Sequence, residues 1–70
     1  MTDFERFQEF GRIRQIAKDA DKRSVTYEKN RQLYIKLSSG QVIGADKFHG
    51  FRDSTIFGYI KMFLSFRGGA

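Results

Sequence analysis

The chain has 70 residues, no cysteine and one histidine, and its 13 Lys and Arg against 8 Asp and Glu leave a net charge of +5 at neutral pH. A chain of this length builds one hydrophobic core, so we expect a single domain over residues 1–70 and no catalytic cleft between two lobes. Without cysteine, and with His49 as the single histidine, neither a disulfide framework nor a zinc site can form, and we expect no cofactor.

The first predicted element is a helix that begins at about Asp3. Thr2 and Glu5 have the spacing of a capping box, in which each side chain bonds a free backbone amide of the first turn. Apolar residues then recur at spacings of three and four, which predicts one broad apolar face. They are Phe4, Phe7, Phe10, Ile13, Ile16, Ala17 and Ala20. Gly11 lies inside this predicted helix, where glycine destabilises the helix by about 1 kcal/mol relative to Ala. Its presence is explained either by a neighbour that packs closely over it or by a position on the protein surface.

Three short strands are predicted next, because the apolar residues change from helical spacing to alternation. Residues 25–28 form the first strand, and a tight turn at Lys29 and Asn30 follows it. Residues 32–37 and 41–45 form the second and third strands. The middle of the chain is therefore predicted to be an antiparallel meander.

The last predicted element covers residues 55–66, after a loop at residues 46–52. As a helix, this segment is apolar except for a narrow polar strip of Gly58, Lys61 and Ser65. As a strand, it would be apolar on both faces and would need covering layers that so short a chain lacks. The helix is therefore preferred, with the strand as the alternative.

These elements predict an α+β fold of two layers, made of an N-terminal helix, a three-stranded antiparallel meander and a C-terminal helix. Both helices are expected on one face of the sheet. The core is expected at the periodic apolar positions of each element. These are Phe4, Phe7, Phe10, Ile13, Leu33, Ile35, Leu37, Ile60, Phe63 and Leu64.

The sequence contains no combination of residues that marks an enzyme. Asp46 and His49 are close in sequence, but no activated nucleophile and no orienting third group accompany them. The glycines match neither a Gly-x-Gly-x-x-Gly loop nor a Walker motif, so nucleotide hydrolysis has no support. We expect neither an enzyme nor a small-molecule substrate.

The positive charge favours an anionic partner, either the phosphate backbone of nucleic acid or an acidic protein surface. Residues 1–9 lack the apolar region of a signal peptide, and no apolar run reaches the roughly 20 residues of a membrane span. Together with the absence of cysteine, this favours a cytoplasmic location.

Most of the basic residues fall into two groups along the chain. Arg12, Arg14, Lys18, Lys22 and Arg23 lie in the second half of the first helix and just after it, and Lys29, Arg31 and Lys36 lie on the hairpin. If the hairpin packs beside the helix end, the two groups form one patch that neutralises several phosphates. Otherwise they complement the helix dipole and keep the protein in solution.

Tyr34 is the candidate for contact with a nucleobase. It alternates with Leu33 and Ile35, so it lies on the face of the second strand that the helices leave open. An exposed tyrosine among cations is typical of surfaces that stack single-stranded bases. The alternative is a structural role, in which Tyr34 packs on a cross-strand neighbour such as Thr26 or Ile43.

The leading hypothesis is therefore a small, basic, nucleic-acid-associated regulatory or accessory protein that contacts mainly phosphates. The alternative is a protein-binding module or inhibitor of the compact kind that phages and bacteria encode. It would act through an aromatic C-terminal surface of Phe57, Phe63 and Phe66, which could also form a homodimer.

Overall fold

The computed structural model describes residues 2–65 and confirms the predicted α+β fold. The chain forms a helix, a three-stranded antiparallel sheet in the order β1-β2-β3, a short 3-10 turn and a second helix. Their bounds are α1 (Asp3–Ala20), β1 (Val25–Lys29), β2 (Gln32–Lys36), β3 (Val42–Gly44), the 3-10 turn (Ala45–Phe48) and α2 (Asp53–Ser65). Neither helix within the described range is long and apolar enough to cross a membrane.

The Thr2 half of the predicted capping box forms at the start of α1, whereas the Glu5 carboxylate bonds the Thr2 hydroxyl and not a backbone amide. The Thr2 hydroxyl accepts a hydrogen bond from the Glu5 backbone N–H at 3.1 Å and donates one to the Glu5 carboxylate at 3.0 Å. These bonds satisfy a donor that the first helical turn leaves without a partner. The helix is therefore held from its first residue.

The β1-β2 hairpin turns one residue later than predicted. Lys29 pairs with Gln32, so the two turn residues are Asn30 and Arg31, with φ of 53° and 63°. Positive φ at both positions defines the type I′ turn, whose twist matches that of the flanking strands. The prediction of Lys29 and Asn30 as turn residues was wrong because it ignored which residues then pair across the hairpin.

The third strand is shorter than predicted, because the chain enters a 3-10 turn directly after Gly44. This turn lies in the segment that was predicted to be a loop. Its last residue, Phe48, is fully buried and belongs to the core. Phe48 packs on Phe51 and Tyr59, with ring centroids 5.8 and 5.3 Å away.

The strand register gives the sheet one covered face and one open face. Thr26, Ile35 and Ile43 pair in one row across the three strands, on the face toward the helices. Both isoleucines are buried there. The core between the sheet and the two helices consists of Ile13, Ile16, Ala17, Ala20, Ile35, Leu37, Ile43, Ala45, Phe48, Ile56 and Ile60.

Phe4 and Phe7 were predicted in the core, and this prediction was wrong, since they are 69% and 76% exposed. Three helical residues turn by about 300°, so each step of three moves an apolar side chain about 60° around the helix. From Phe4 to Ile16, four such steps carry the side chains to different sides of α1. In addition, α2 begins beside Arg12 and leaves the first half of α1 uncovered.

The second helix, α2, confirms the helical interpretation of residues 55–66 as far as Ser65. Ile56 and Ile60 are fully buried against α1 and the sheet. Four of the predicted core residues are only partly buried. They are Phe10, Leu33, Phe63 and Leu64.

Candidate nucleic-acid interface

Two stacked tyrosines lie at the centre of the open face of the sheet. Tyr27 and Tyr34 are directly opposite each other on β1 and β2, with ring centroids 5.5 Å apart and ring planes 24° apart. The cross-strand partner of Tyr34 is therefore Tyr27, and neither Thr26 nor Ile43 as predicted, because both of these lie on the covered face. Both rings are half-buried, so each keeps part of its surface open to solvent.

The surroundings of Tyr34 hold its ring in place and leave space beside it. Its hydroxyl donates a hydrogen bond to the Gln32 side chain at 2.7 Å. On its other side Tyr34 pairs with Gly44 of β3, and no atom lies within 4 Å of the position that a Cβ on Gly44 would occupy. The row Tyr27, Tyr34 and Gly44 therefore combines two rings with a flat, empty position.

Around this row the open face carries positive charge and exposed apolar side chains. Lys36 pairs with Val25 on one side and Val42 on the other, and the two valines are 53% and 51% exposed. Lys29 lies on the same face, next to the turn. We call this surface the open sheet face; it comprises Val25, Tyr27, Lys29, Gln32, Tyr34, Lys36, Val42 and Gly44.

Among the described residues, the open sheet face holds no acidic side chain. The acidic residue of β1, Glu28, pairs with Leu33 on the covered face and forms an ion pair with Arg6 of α1. The charged side chains that the described residues place on the open sheet face, Lys29 and Lys36, are therefore both cations.

The two predicted groups of cations converge only in part. Lys22 and Arg23 precede the start of β1, and Val25 pairs with Lys36, so these three cations lie at one end of the sheet. At the opposite end Lys29 lies on the open sheet face, whereas Arg31 in the hairpin turn lines the groove between α1 and the hairpin. The open sheet face therefore has cations at both ends rather than one continuous patch.

Arg12 is engaged within the protein. Its guanidinium donates to Asp53 and Glu9, each at 2.7 Å, and to the Phe51 carbonyl at 2.8 Å. The hydrogen bond to Asp53 outweighs partial burial, and the pKa of Arg12 lies above its ordinary value. These contacts fix α2 to α1, so we remove Arg12 from the predicted phosphate contacts.

Arg14 and Lys18 lie on α1, in the layer away from the open sheet face. Arg14 is exposed, and the Lys18 ammonium lies 3.5 Å from the Lys22 carbonyl at the end of the helix. Their distance from the tyrosines follows from the two-layer fold, because α1 covers the opposite side of the sheet. They add to the overall positive charge but do not border the stacked rings.

Asp21 fixes the end of the sheet that carries Lys22, Arg23 and Lys36. Its buried carboxylate accepts the backbone N–H of Ser38 at 2.7 Å and that of Arg23 at 3.2 Å. Burial alone would raise the pKa of Asp21, but these hydrogen bonds and the charge of Lys18 outweigh it, so the pKa lies below its ordinary value. Asp21 is thus a charged structural group.

The two described residues of the predicted aromatic C-terminal surface differ in their exposure. Phe63 is half-buried, with its ring 5.1 Å from that of Tyr59 and the Lys47 ammonium 5.8 Å from its centre. Phe57 is 37% exposed and lines a shallow groove next to Arg12. Phe66 lies outside the described residues.

Asp46 and His49 lie on the rim of a groove of about 300 Å³ between α1, the hairpin and the 3-10 turn. The floor of this groove is apolar, and its rim carries both signs of charge, including Arg31. Within residues 2–65 no three His, Cys, Asp or Glu side chains come close enough to hold a metal ion. The groove therefore does not define a class of ligand.

Sequence reasoning found Tyr34 but missed Tyr27, and the turn position explains why. With the turn at Lys29 and Asn30, Tyr34 would face Val25, whereas the turn at Asn30 and Arg31 sets it against Tyr27. The preference of type I′ turns for Asn at the first position was the available signal.

No family model matches this chain, and neither a curated protein nor a solved structure is significantly similar to it. The functional argument therefore rests on the geometry of the described residues.

Proposed function

We propose that this protein binds single-stranded nucleic acid on its open sheet face. The observation that carries the proposal is the Tyr27 and Tyr34 pair, which lies between Lys29 and Lys36 on a sheet face that no other described element covers and that carries no acidic side chain of the described strands. Sheets that present aromatic rings are a recurring platform for unpaired bases, because every base has an apolar π-face.

In this proposal the rings and the cations have different tasks. A base stacks on the exposed surface of Tyr34 and extends over Gly44, where no side chain obstructs it. Lys36, Lys22 and Arg23 at one end and Lys29 at the other contact phosphates, which position the strand without reading its sequence. The affinity therefore falls as the salt concentration rises, because the cations contact phosphates. It is also higher for single strands than for duplexes, because the rings need unpaired bases.

Single strands are favoured over duplexes because the bases of a duplex are stacked on one another and cannot reach a flat ring. Among residues 2–65, no element protrudes from the open sheet face in the way that the helix of a major-groove reader enters the groove. A duplex would gain only the phosphate contacts.

The proposal is tested by fluorescence anisotropy with a labelled single strand and the matching duplex, at low and at physiological salt. Tyr34→Ala is expected to weaken single-strand binding by about fivefold to a hundredfold, in line with about 1–3 kcal/mol per stacked base. Tyr34→Phe keeps the ring and should bind like the unchanged protein. Neither substitution should alter duplex binding.

A matched pair of lysine variants separates the contribution of the open sheet face to binding from that of the overall charge of the protein. Lys36→Ala should weaken binding and lower its salt dependence, whereas Lys61→Ala, an exposed lysine on α2, should change binding only slightly. Equal effects of the two substitutions, or no binding at low salt, would contradict the proposal.

A further inference from the structure

An exposed stripe runs along the side of α1 that faces away from the core. It comprises Phe4, Phe7, Gly11 and Arg14, and we call it the α1 stripe. At about 100° per residue these four positions lie within about 80° of one another around the helix. The two phenylalanines are more than two-thirds exposed, and no atom lies within 4 Å of a Cβ built on Gly11.

Nothing among residues 2–65 covers the α1 stripe. The sheet packs against the opposite side of α1, and α2 begins beside Arg12 and continues past Ile16. The Thr2 cap nevertheless holds this half of α1 as a helix. The α1 stripe therefore exposes the Phe4 and Phe7 rings, and the space beside Gly11, on a regular helix.

The shape of the α1 stripe is complementary to itself. When two copies of α1 run antiparallel, Phe7 can lie over Gly11 of the partner subunit, where the missing side chain leaves room. The same placement sets Phe4 against Arg14 of the partner subunit, because both pairs are centred on residue 9. The Arg14 side chain can then cover the Phe4 ring with its apolar stem and its cation.

The charges of α1 favour the same arrangement. On the side of α1 that carries the stripe, the first half has Asp3 and the second half has Arg14 and Lys18, whereas Glu9 and Arg12 are paired within the chain. An antiparallel pair brings Asp3 close to Arg14 of the partner subunit, whereas a parallel pair would oppose like charges. Both shape and charge therefore select a second copy of this chain as the occupant.

We propose that the α1 stripe is a homodimer interface, formed by two antiparallel α1 helices about a two-fold axis near residue 9. An interface of this symmetry uses the same patch on both copies, as the geometry requires. It differs from the predicted dimer surface of Phe57, Phe63 and Phe66. It also lies in the opposite layer from the open sheet face, which stays accessible in both copies.

The test is sedimentation velocity of the full chain, freed of nucleic acid, over about a hundredfold dilution. The protein should change from dimer to monomer on dilution. Gly11→Met fills the gap with a good helix former, and Phe7→Ser removes the inserted ring. Each should raise the dissociation constant about tenfold or more. Met62→Ser, at a 55% exposed position of α2, is the control and should leave the constant unchanged.

Disulfide trapping tests the orientation, because the chain contains no cysteine. A mixture of the Phe4→Cys and Arg14→Cys proteins should form the mixed disulfide on mild oxidation. Two copies of Phe4→Cys should not cross-link, because their helical positions lie about 15 Å apart along the axis, beyond disulfide reach. The proposal is overturned if the protein is a monomer at every concentration, or if neither Gly11→Met nor Phe7→Ser changes the dissociation constant of the dimer. It is also overturned if Phe4→Cys cross-links to itself in preference to Arg14→Cys.

Discussion

Arg31 occupies a position in the hairpin turn that suits glycine better. Its φ of 63° lies in the left-handed region, and in type I′ turns Gly is strongly preferred at the second position after Asn. A residue with a side chain costs about 1–2 kcal/mol in this conformation. The strained residue follows Lys29 in the chain, and its side chain lines the groove between α1 and the hairpin.

Replacing Arg31 by Gly should therefore stabilise the protein by roughly 1 kcal/mol while it removes one cation. The urea midpoint measures the first effect, and the salt dependence of single-strand binding measures the second. Asn30→Ala, which introduces strain at the neighbouring turn position, is the matched control and should destabilise. An Arg31→Gly protein that is less stable than the unchanged chain would show that the Arg31 side chain makes a stabilising contact.

At the scale of the elements, the main arrangement follows from local patterns, whereas the details of packing do not. Thr2 and Glu5 correctly marked the start of α1, and the alternation around Ile35 marked β2. Phe48 was missed because it lies in a segment without periodicity, and its burial depends on contacts with Tyr59 from a distant helix. The exposure of Phe7 was missed because the starting position of α2 beside α1 is not encoded in either helix alone.

The junction of α1, β1 and the β2-β3 turn depends on Asp21, whose carboxylate accepts the backbone N–H of Arg23 between α1 and β1 and that of Ser38 in the β2-β3 turn. Because its pKa is lower in the folded than in the unfolded protein, its contribution is present above the unfolded pKa of about 3.9 and is lost as pH falls through the folded value. Asp21→Asn should lower the unfolding free energy at neutral pH by about 1–3 kcal/mol.

Urea unfolding at neutral pH and at acidic pH, below the ordinary pKa of aspartate, measures this effect. The difference in unfolding free energy between the unchanged protein and Asp21→Asn should be large at neutral pH and should become smaller in acid. Asp19→Asn, at an exposed position two residues earlier, is the control and should show little difference at either pH. A difference for Asp21→Asn that stays constant with pH would rule out the charge as its cause.

For the whole molecule, the two layers separate two surfaces of different chemistry. The open sheet face carries rings and cations, and the α1 stripe on the far side carries exposed phenylalanines. From the sequence, the net charge and Tyr34 could be related to nucleic acid, but the open sheet face could not be assembled, since it depends on the register that joins Tyr27, Tyr34 and Gly44. The two surfaces share no residue, so a negative result for one proposal does not contradict the other.

The most direct test of nucleic-acid binding is an NMR titration of the full chain with a short single-stranded oligonucleotide at low salt. The account predicts that the largest shift changes fall on the open sheet face, at Tyr27, Tyr34, Lys36 and Gly44. The exposed side of α2, represented by Lys61 and Met62, should change little. Shift changes concentrated on α1 or α2, or uniformly small changes at saturating oligonucleotide, would contradict the proposal that the open sheet face binds single strands.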